Sequence, residues 1–286
     1  MSLRGHQHVV RALILLLPAS LLAATPDDSS QERTLAQLSD REMSDWGHAA
    51  LQVNPQHWKH GETDHFIIHY FRFADMIARR CEKFYAEIRE FFGNRRDLLD
   101  GRKSQVFAFN DAKDWDAFRQ KIGGMRILGI TRDNEFFYLA SSESGQFDSR
   151  GKAQAHEMTH LIFNRFFEGH PPLWLNEGIA EYFGQRKTSS IAEFRHQMGR
   201  TPAFDLEQMF ELKSYPHSLE EIGAFYSESA IVVDFLTHNP ERAALLPKFV
   251  DAMIADDNMA EAVKIYGYKD LAEFKAAYRR YRQWFQ

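Results

Sequence analysis

Cysteine is almost absent. Cys81 stands alone among 286 residues, which excludes an internal disulfide whatever the redox compartment. It lies in Ile77-Ala78-Arg79-Arg80-Cys81-Glu82-Lys83-Phe84-Tyr85, a helical pattern that makes it a small apolar core residue and not a nucleophile. Long apolar runs are missing as well. Ala12 to Ala24 carries no charge but is interrupted by Pro18 and Ser20, and it falls short of the roughly 20 residues that a membrane-spanning helix needs. Basic residues are not in excess, since 35 Lys and Arg face 40 Asp and Glu for a net charge of −5. That balance gives no electrostatic reason to expect nucleic acid or an anionic membrane as a partner. Internal repeats and low-complexity tracts are also lacking.

What is present begins with an export signal. Arg4 and Arg11 supply a basic start, the uncharged stretch follows, and small residues close it near Ala24. The reading is a protein exported to the periplasm or secreted, with 1–24 removed. Leu22 is a poor fit three residues before the cut, so an uncleaved anchor is the alternative, and without a cysteine after the run lipid attachment there is excluded. Loss of Arg4 and Arg11 moves the net charge to −7.

The decisive segment is His156-Glu157-Met158-Thr159-His160. Two histidines four apart on a helix lie about 40° apart around its axis, so both imidazoles leave one face. They can hold one Zn²⁺ at roughly 2.0–2.1 Å while the glutamate between them addresses water. Ala155, Thr159, Ile162 and Phe163 recur at helical spacing around the motif, with no Gly or Pro until Gly169. The competing reading, two solvated histidines on a surface helix, fits that half-buried pattern poorly, because buried polar groups need partners. A third ligand is still required, and Glu177 in Asn176-Glu177-Gly178-Ile179-Ala180-Glu181 is the natural candidate.

Taken with Pro171-Pro172-Leu173-Trp174-Leu175-Asn176-Glu177-Gly178-Ile179-Ala180-Glu181-Tyr182-Phe183, the motif resembles the gluzincin metallopeptidases, specifically over 156–183. The resemblance implies one Zn²⁺ held by His156, His160 and Glu177, with Glu157 as general base. It implies Glu181 as the carboxylate behind a zinc-bound histidine, one helical turn beyond Glu177. Asn176 is read as capping or bracing the start of its helix. Tyr226, followed by a small-residue and aliphatic helix, matches the tyrosine that stabilises the oxyanion in the large aminopeptidases of this clan. A core-rim tyrosine bonded to a carbonyl is the alternative for Tyr226, and His217 is a weaker oxyanion candidate. The sixteen residues between His160 and Glu177 are slightly fewer than in those aminopeptidases and suggest a small member with a tighter turn at Gly169-His170-Pro171-Pro172. Gly123-Gly124-Met125-Arg126-Ile127 stands closest to the segment that anchors a substrate's free amine. Arg126 replaces the glutamate there and would repel an ammonium group, although Glu135 is a possible substitute. Internal cleavage of peptide chains is therefore expected.

Element order predicts an α+β fold, with the two lobes and intervening zinc that the gluzincin plan implies. Strands are expected at 64–71, 104–109, 127–131 and 135–140, and helices at 31–52, 74–92 and 112–120. After the metal helix come helices at 174–185, 190–198, 218–238, 241–255, 258–265 and 269–284. His65 and His69 are expected to share an exposed strand face, and 135–140 to form a sheet edge able to bind an extended peptide. The domains are then 1–24 signal, 25–52 linker and helix, 53–148 α/β lobe, and 149–286 metal-binding helices with a helical lobe. The expected activity is that of a zinc metallopeptidase on a peptide or protein substrate, with no stable membrane insertion after processing. Its rivals are a zinc hydrolase of non-peptide amides or esters and a catalytically silent interaction module.

Overall fold

The computed structural model describes residues 32–124, 128–140, 148–186 and 190–285, and these form an α+β assembly. The signal segment 1–24 and Arg126 lie outside the described residues. One five-stranded sheet contains β1 (Lys59–Glu62), β2 (Phe66–Tyr70), β3 (Ser104–Phe109), β4 (Gly129–Arg132) and β5 (Glu135–Leu139). Its spatial order is β1-β2-β3-β5-β4. The central three strands run parallel, and an antiparallel strand closes each edge. Those central strands are buried nearly end to end, as expected where both faces of a sheet are covered.

Side-chain alternation divides the core between the two faces. Phe66, Ile68, Val106, Phe136 and Tyr138 pack with α2 (Ala74–Phe91) and α4 (Asp148–Phe163). On the opposite face, Phe107, Phe109 and Phe137 meet α1 (Asp45–Leu51) and α3 (Ala112–Lys121). The first of these cores continues without a break into the C-terminal helices. These are α5 (Leu173–Arg186), α6 (Ile191–Gly199), α7 (Leu206–Glu211), α8 (Leu219–Thr237), α9 (Pro240–Ala243), α10 (Leu246–Ala255), α11 (Met259–Ala262) and α12 (Leu271–Arg282). Among the described residues, no helix is long and apolar enough to cross a membrane.

Several expectations need correction. Between 32 and 52 only Asp45–Leu51 is α-helical, because the preceding backbone is recruited by the sheet. Arg33 bridges to His60, the Ser39 N–H donates to Glu62, and Asp40 accepts from the Lys103 N–H. Strand β1 was not anticipated, since Lys59-His60-Gly61-Glu62 has no apolar alternation, and pairing with β2 alone makes it a strand. The expected helix 241–255 breaks between α9 and α10 because Pro247 has no N–H with which to continue from Ala243. Helix α7 also escaped notice; Asp205 caps it by accepting from the Gln208 N–H.

His65 and His69 do not share an exposed face. His69 is fully buried, its Nδ1 2.8 Å from His60 Nδ1 and its Nε2 2.9 Å from Gln105 Oε1. Burial lowers its pKa to about 3, so it remains neutral. Residue 65 lies before the strand begins, and its ring turns the other way to stack on Tyr85 of α2 and meet Glu82. Nor is 135–140 an edge, since β5 lies between β3 and β4, leaving β4 as the outer strand. Cys81 is buried, and desolvation pushes its thiol well above the ordinary range.

Arg165, just beyond α4, anchors that helix to the sheet. Its guanidinium donates to Asp97 at 2.9 and 2.6 Å, to the His65 carbonyl at 2.9 Å and to Ser104 Oγ at 2.9 Å. Only 2% of Arg165 is exposed, so Asp97 is the counter-charge that makes its burial tolerable. Burial raises the Asp97 carboxyl, but hydrogen bonds from Arg165 outweigh that and hold it below its ordinary value. Asp97→Asn should therefore destabilise the protein by about 3 kcal/mol or more, the usual cost of breaking a buried pair. Thermal melts at neutral pH measure this. The deficit relative to wild type should narrow as acid protonates Asp97, because this depressed-pKa group stabilises above its unfolded pKa and loses that contribution as pH falls through the folded one.

Candidate metal centre

Helix α4 carries His156, Glu157 and His160, and α5 carries Glu177 and Glu181. Between them, Gly169 turns the chain in the left-handed region at φ 94° before Pro171 and Pro172 lead into α5. Two further glycines seat α5 against its neighbours. A Cβ on Gly184 would lie 2.9 Å from the Lys152 carbonyl of α4, and one on Gly178 would lie 2.7 Å from the Ser229 carbonyl of α8. Because neither glycine has a side chain, α5 can wedge between α4 and α8. Glu177 is carried down with it until 3% of the residue is exposed.

At that depth three ligand atoms converge. His156 Nε2 is 3.2 Å from His160 Nε2 and 3.2 Å from Glu177 Oε2, and His160 Nε2 is 3.5 Å from the same oxygen. Ligands about 2.0–2.1 Å from a tetrahedral divalent metal stand about 3.3 Å apart, so this triangle fits such an ion. It is the one His, Cys, Asp and Glu group among the described residues that converges in this way. Behind it, Glu181 Oε2 lies 3.2 Å from His156 Nδ1, and Gln185 donates to Glu181 Oε1 at 2.8 Å. The second nitrogen of His156 thus meets a carboxylate, which fixes its tautomer and orientation.

The electrostatics follow from packing two carboxylates around one imidazole. Burial alone would lower the His156 pKa, but its hydrogen bonds to Glu177 and Glu181 push it up to about 10. Burial would raise Glu177, yet His156 and His160 hold it far below the ordinary carboxylate range. Glu181 is also lowered on balance, with the His156 hydrogen bond overcoming desolvation. Without metal, the His156 imidazolium therefore supplies the positive charge that these acids require.

Glu157 sits beside the outer strand. Its backbone carbonyl accepts from the Thr131 hydroxyl of β4 at 2.9 Å, and a Cβ on Gly129 would be 3.4 Å from its Cγ. The Tyr226 ring centroid is 5.8 Å from that of His156. Its phenol is raised well above the ordinary value, by burial first and then by the Glu177 charge. His217 is exposed and makes no hydrogen bond with these groups. Asn176 does not cap α5, which starts three residues earlier; the Pro172 carbonyl accepts from the Leu175 and Asn176 N–H groups there. Glu135 lies on the sheet face away from α4 with Phe137, and both its oxygens are engaged by Ser44 at 2.6 and 2.5 Å.

One residue at the centre was missed. Tyr215 donates its hydroxyl proton to Glu177 Oε1 at 2.7 Å, and its ring meets Tyr226 nearly edge-on. In Tyr215-Pro216-His217-Ser218 the histidine attracts notice, and only tertiary packing brings the tyrosine to a carboxylate 38 positions away. Neither a protein-family model nor a curated protein sequence matches this chain.

Removing one carboxylate tests this balance without any metal. In metal-free Glu181→Gln, the His156 pKa measured by NMR titration should fall below the wild-type value. The raised pKa also means that the imidazolium's contribution to stability is complete below about pH 6.5 and is lost as pH rises through about 10. The Glu181→Gln melting temperature should accordingly depend less on pH across that window.

Proposed function

We propose that this chain is an exported zinc metallopeptidase of the gluzincin type that cleaves within peptide chains. The single observation carrying the reading is the triangle of His156, His160 and Glu177, whose ligand atoms are spaced for one Zn²⁺. The two-lobed gluzincin arrangement, with zinc between a sheet-bearing lobe and a helical one, belongs to the same proposal. Bound there, Zn²⁺ would acidify water and polarise the scissile carbonyl.

The protein's own groups account for the remaining chemistry. Glu157 accepts a proton from the attacking water as the new C–O bond forms, then delivers it to the amine nitrogen as the C–N bond breaks. Tyr226, packed against His156, donates a hydrogen bond to the carbonyl oxygen as negative charge develops there. The strand β4, outermost in the sheet among the described residues and tied to α4 through Thr131 and the Glu157 carbonyl, would take an extended substrate along its outer side. Internal cleavage is favoured because Glu135, the alternative anchor for a free amine, is committed to Ser44 on the other sheet face.

Metal binding and catalysis are separable by substitution. Glu157→Gln should retain zinc and lose nearly all turnover, whereas Glu177→Ala should lose both together. Tyr226→Phe should keep zinc and folding while lowering kcat by roughly 10²-fold. Zinc content by mass spectrometry and casein-type cleavage report these outcomes, and substantial activity in Glu157→Gln would refute the mechanism. Non-peptide esters and amides in the same assay separate the peptidase from a hydrolase of other substrates.

Cleavage position is tested with an N-acetylated peptide beside its free-amine counterpart. Both should be cut at the same internal bonds, as mapped by mass spectrometry. Release of single residues from the free peptide alone would overturn the endopeptidase assignment.

A further inference from the structure

The two oxygens of Glu177 have different partners. Oε2 faces the imidazole nitrogens of His156 and His160, while Oε1 accepts from the Tyr215 hydroxyl at 2.7 Å. A carboxylate free at both oxygens can bind a metal through one or both, and the second bond closes a coordination position that a substrate needs. A hydrogen bond held on Oε1 biases the choice to Oε2 alone. We propose that Tyr215 is a positioning residue that keeps Glu177 a one-oxygen metal ligand and thereby keeps a coordination position open.

The inference rests on the metal reading of the site and adds a residue and a coordination mode to it. Its support is the way Tyr215 itself is held. Tyr215 lies in a short turn between α7 and α8 that is pinned on both sides. Lys213 pairs with Asp257, and Ser218 forms a reciprocal capping box with Glu221 at the start of α8. The Tyr215 ring also packs against Tyr226, with centroids 6.3 Å apart and planes at 86°. With 46% of the residue exposed, it forms part of the outer surface and not the hydrophobic core. Loss of its hydroxyl should therefore affect Glu177 far more than the fold.

The test uses the full chain as exported, with Tyr215→Phe and Tyr226→Phe beside wild type. Zinc affinity is measured by competition with a chromogenic chelator, and folding by thermal melts in excess chelator. Tyr215→Phe should weaken zinc binding by about 10- to 100-fold, the usual cost of losing a partner behind a metal ligand. Metal-free Tyr215→Phe should still fold cooperatively, its melt lowered only by the loss of one hydrogen bond to a buried carboxylate, and Tyr226→Phe should keep wild-type affinity. Cobalt(II) in place of zinc reads the coordination mode in the folded fraction alone. In Tyr215→Phe the visible bands should weaken, as expected on passing from four to five ligands. Wild-type zinc affinity with an unchanged cobalt spectrum in Tyr215→Phe would overturn this proposal and leave the metal site standing. Failure of the wild-type protein to bind zinc would instead overturn the metal site, and this proposal with it.

Discussion

Everything at the centre depends on one buried carboxylate. Glu177 is 3% exposed, and an isolated charge at that depth would be prohibitively costly. Two imidazoles on α4 and a phenol from the turn before α8 surround it, so its position is determined from three directions. The close contacts at Gly178 and Gly184 set the depth, since a larger residue at either place would force α5 away from its neighbours. Helix packing and charge compensation are therefore a single constraint here.

The sheet gives that constraint a fixed support. Its parallel centre is buried on both faces and supplies a rigid floor for α4. Arg165 fixes the far end of α4 to the start of β3 and to the Asp97 loop, and Thr131 ties the Glu157 carbonyl to the outer strand. Glu157, the outer strand and the pair His156 and His160 are thus held in one frame. The polar row on the opposite face, His60, His69, Gln105 and Glu135 with Ser44, is internally bonded and turned away from the centre.

Tyr215 and Tyr226 occupy different positions at the centre, and only Tyr226 was singled out in the sequence. Tyr226 packs beside His156 with its ring tilted, whereas Tyr215 engages the acid, and the two come from α8 and the turn leading into it. The pair links the C-terminal helices to the groups on α4 and α5.

Local chemistry made much of this legible in the linear chain. The shared face of His156 and His160 follows from helical spacing, with Glu157 between them and Glu177 the natural third candidate, while the place of Glu181 came from the resemblance together with its one-turn spacing from Glu177. Short runs rich in apolar and aromatic residues located β2, β3 and β5, and the range 218–238 located the long helix α8. Non-local pairing decided the rest. Lys59–Glu62 is a strand only because β2 lies beside it, and β5 is internal only because β4 folds back along its outer side. His69 is neutral because Gln105, 36 residues away, and His60 enclose it, and Tyr215 reaches Glu177 across 38 positions. Periodicity records which face of an element is apolar, but not which remote groups will meet that face. The candidate group of His156, His160 and Glu177 was therefore determined by the sequence by itself, whereas the outer position of β4, the burial of the polar row and the second tyrosine were decided by the tertiary structure.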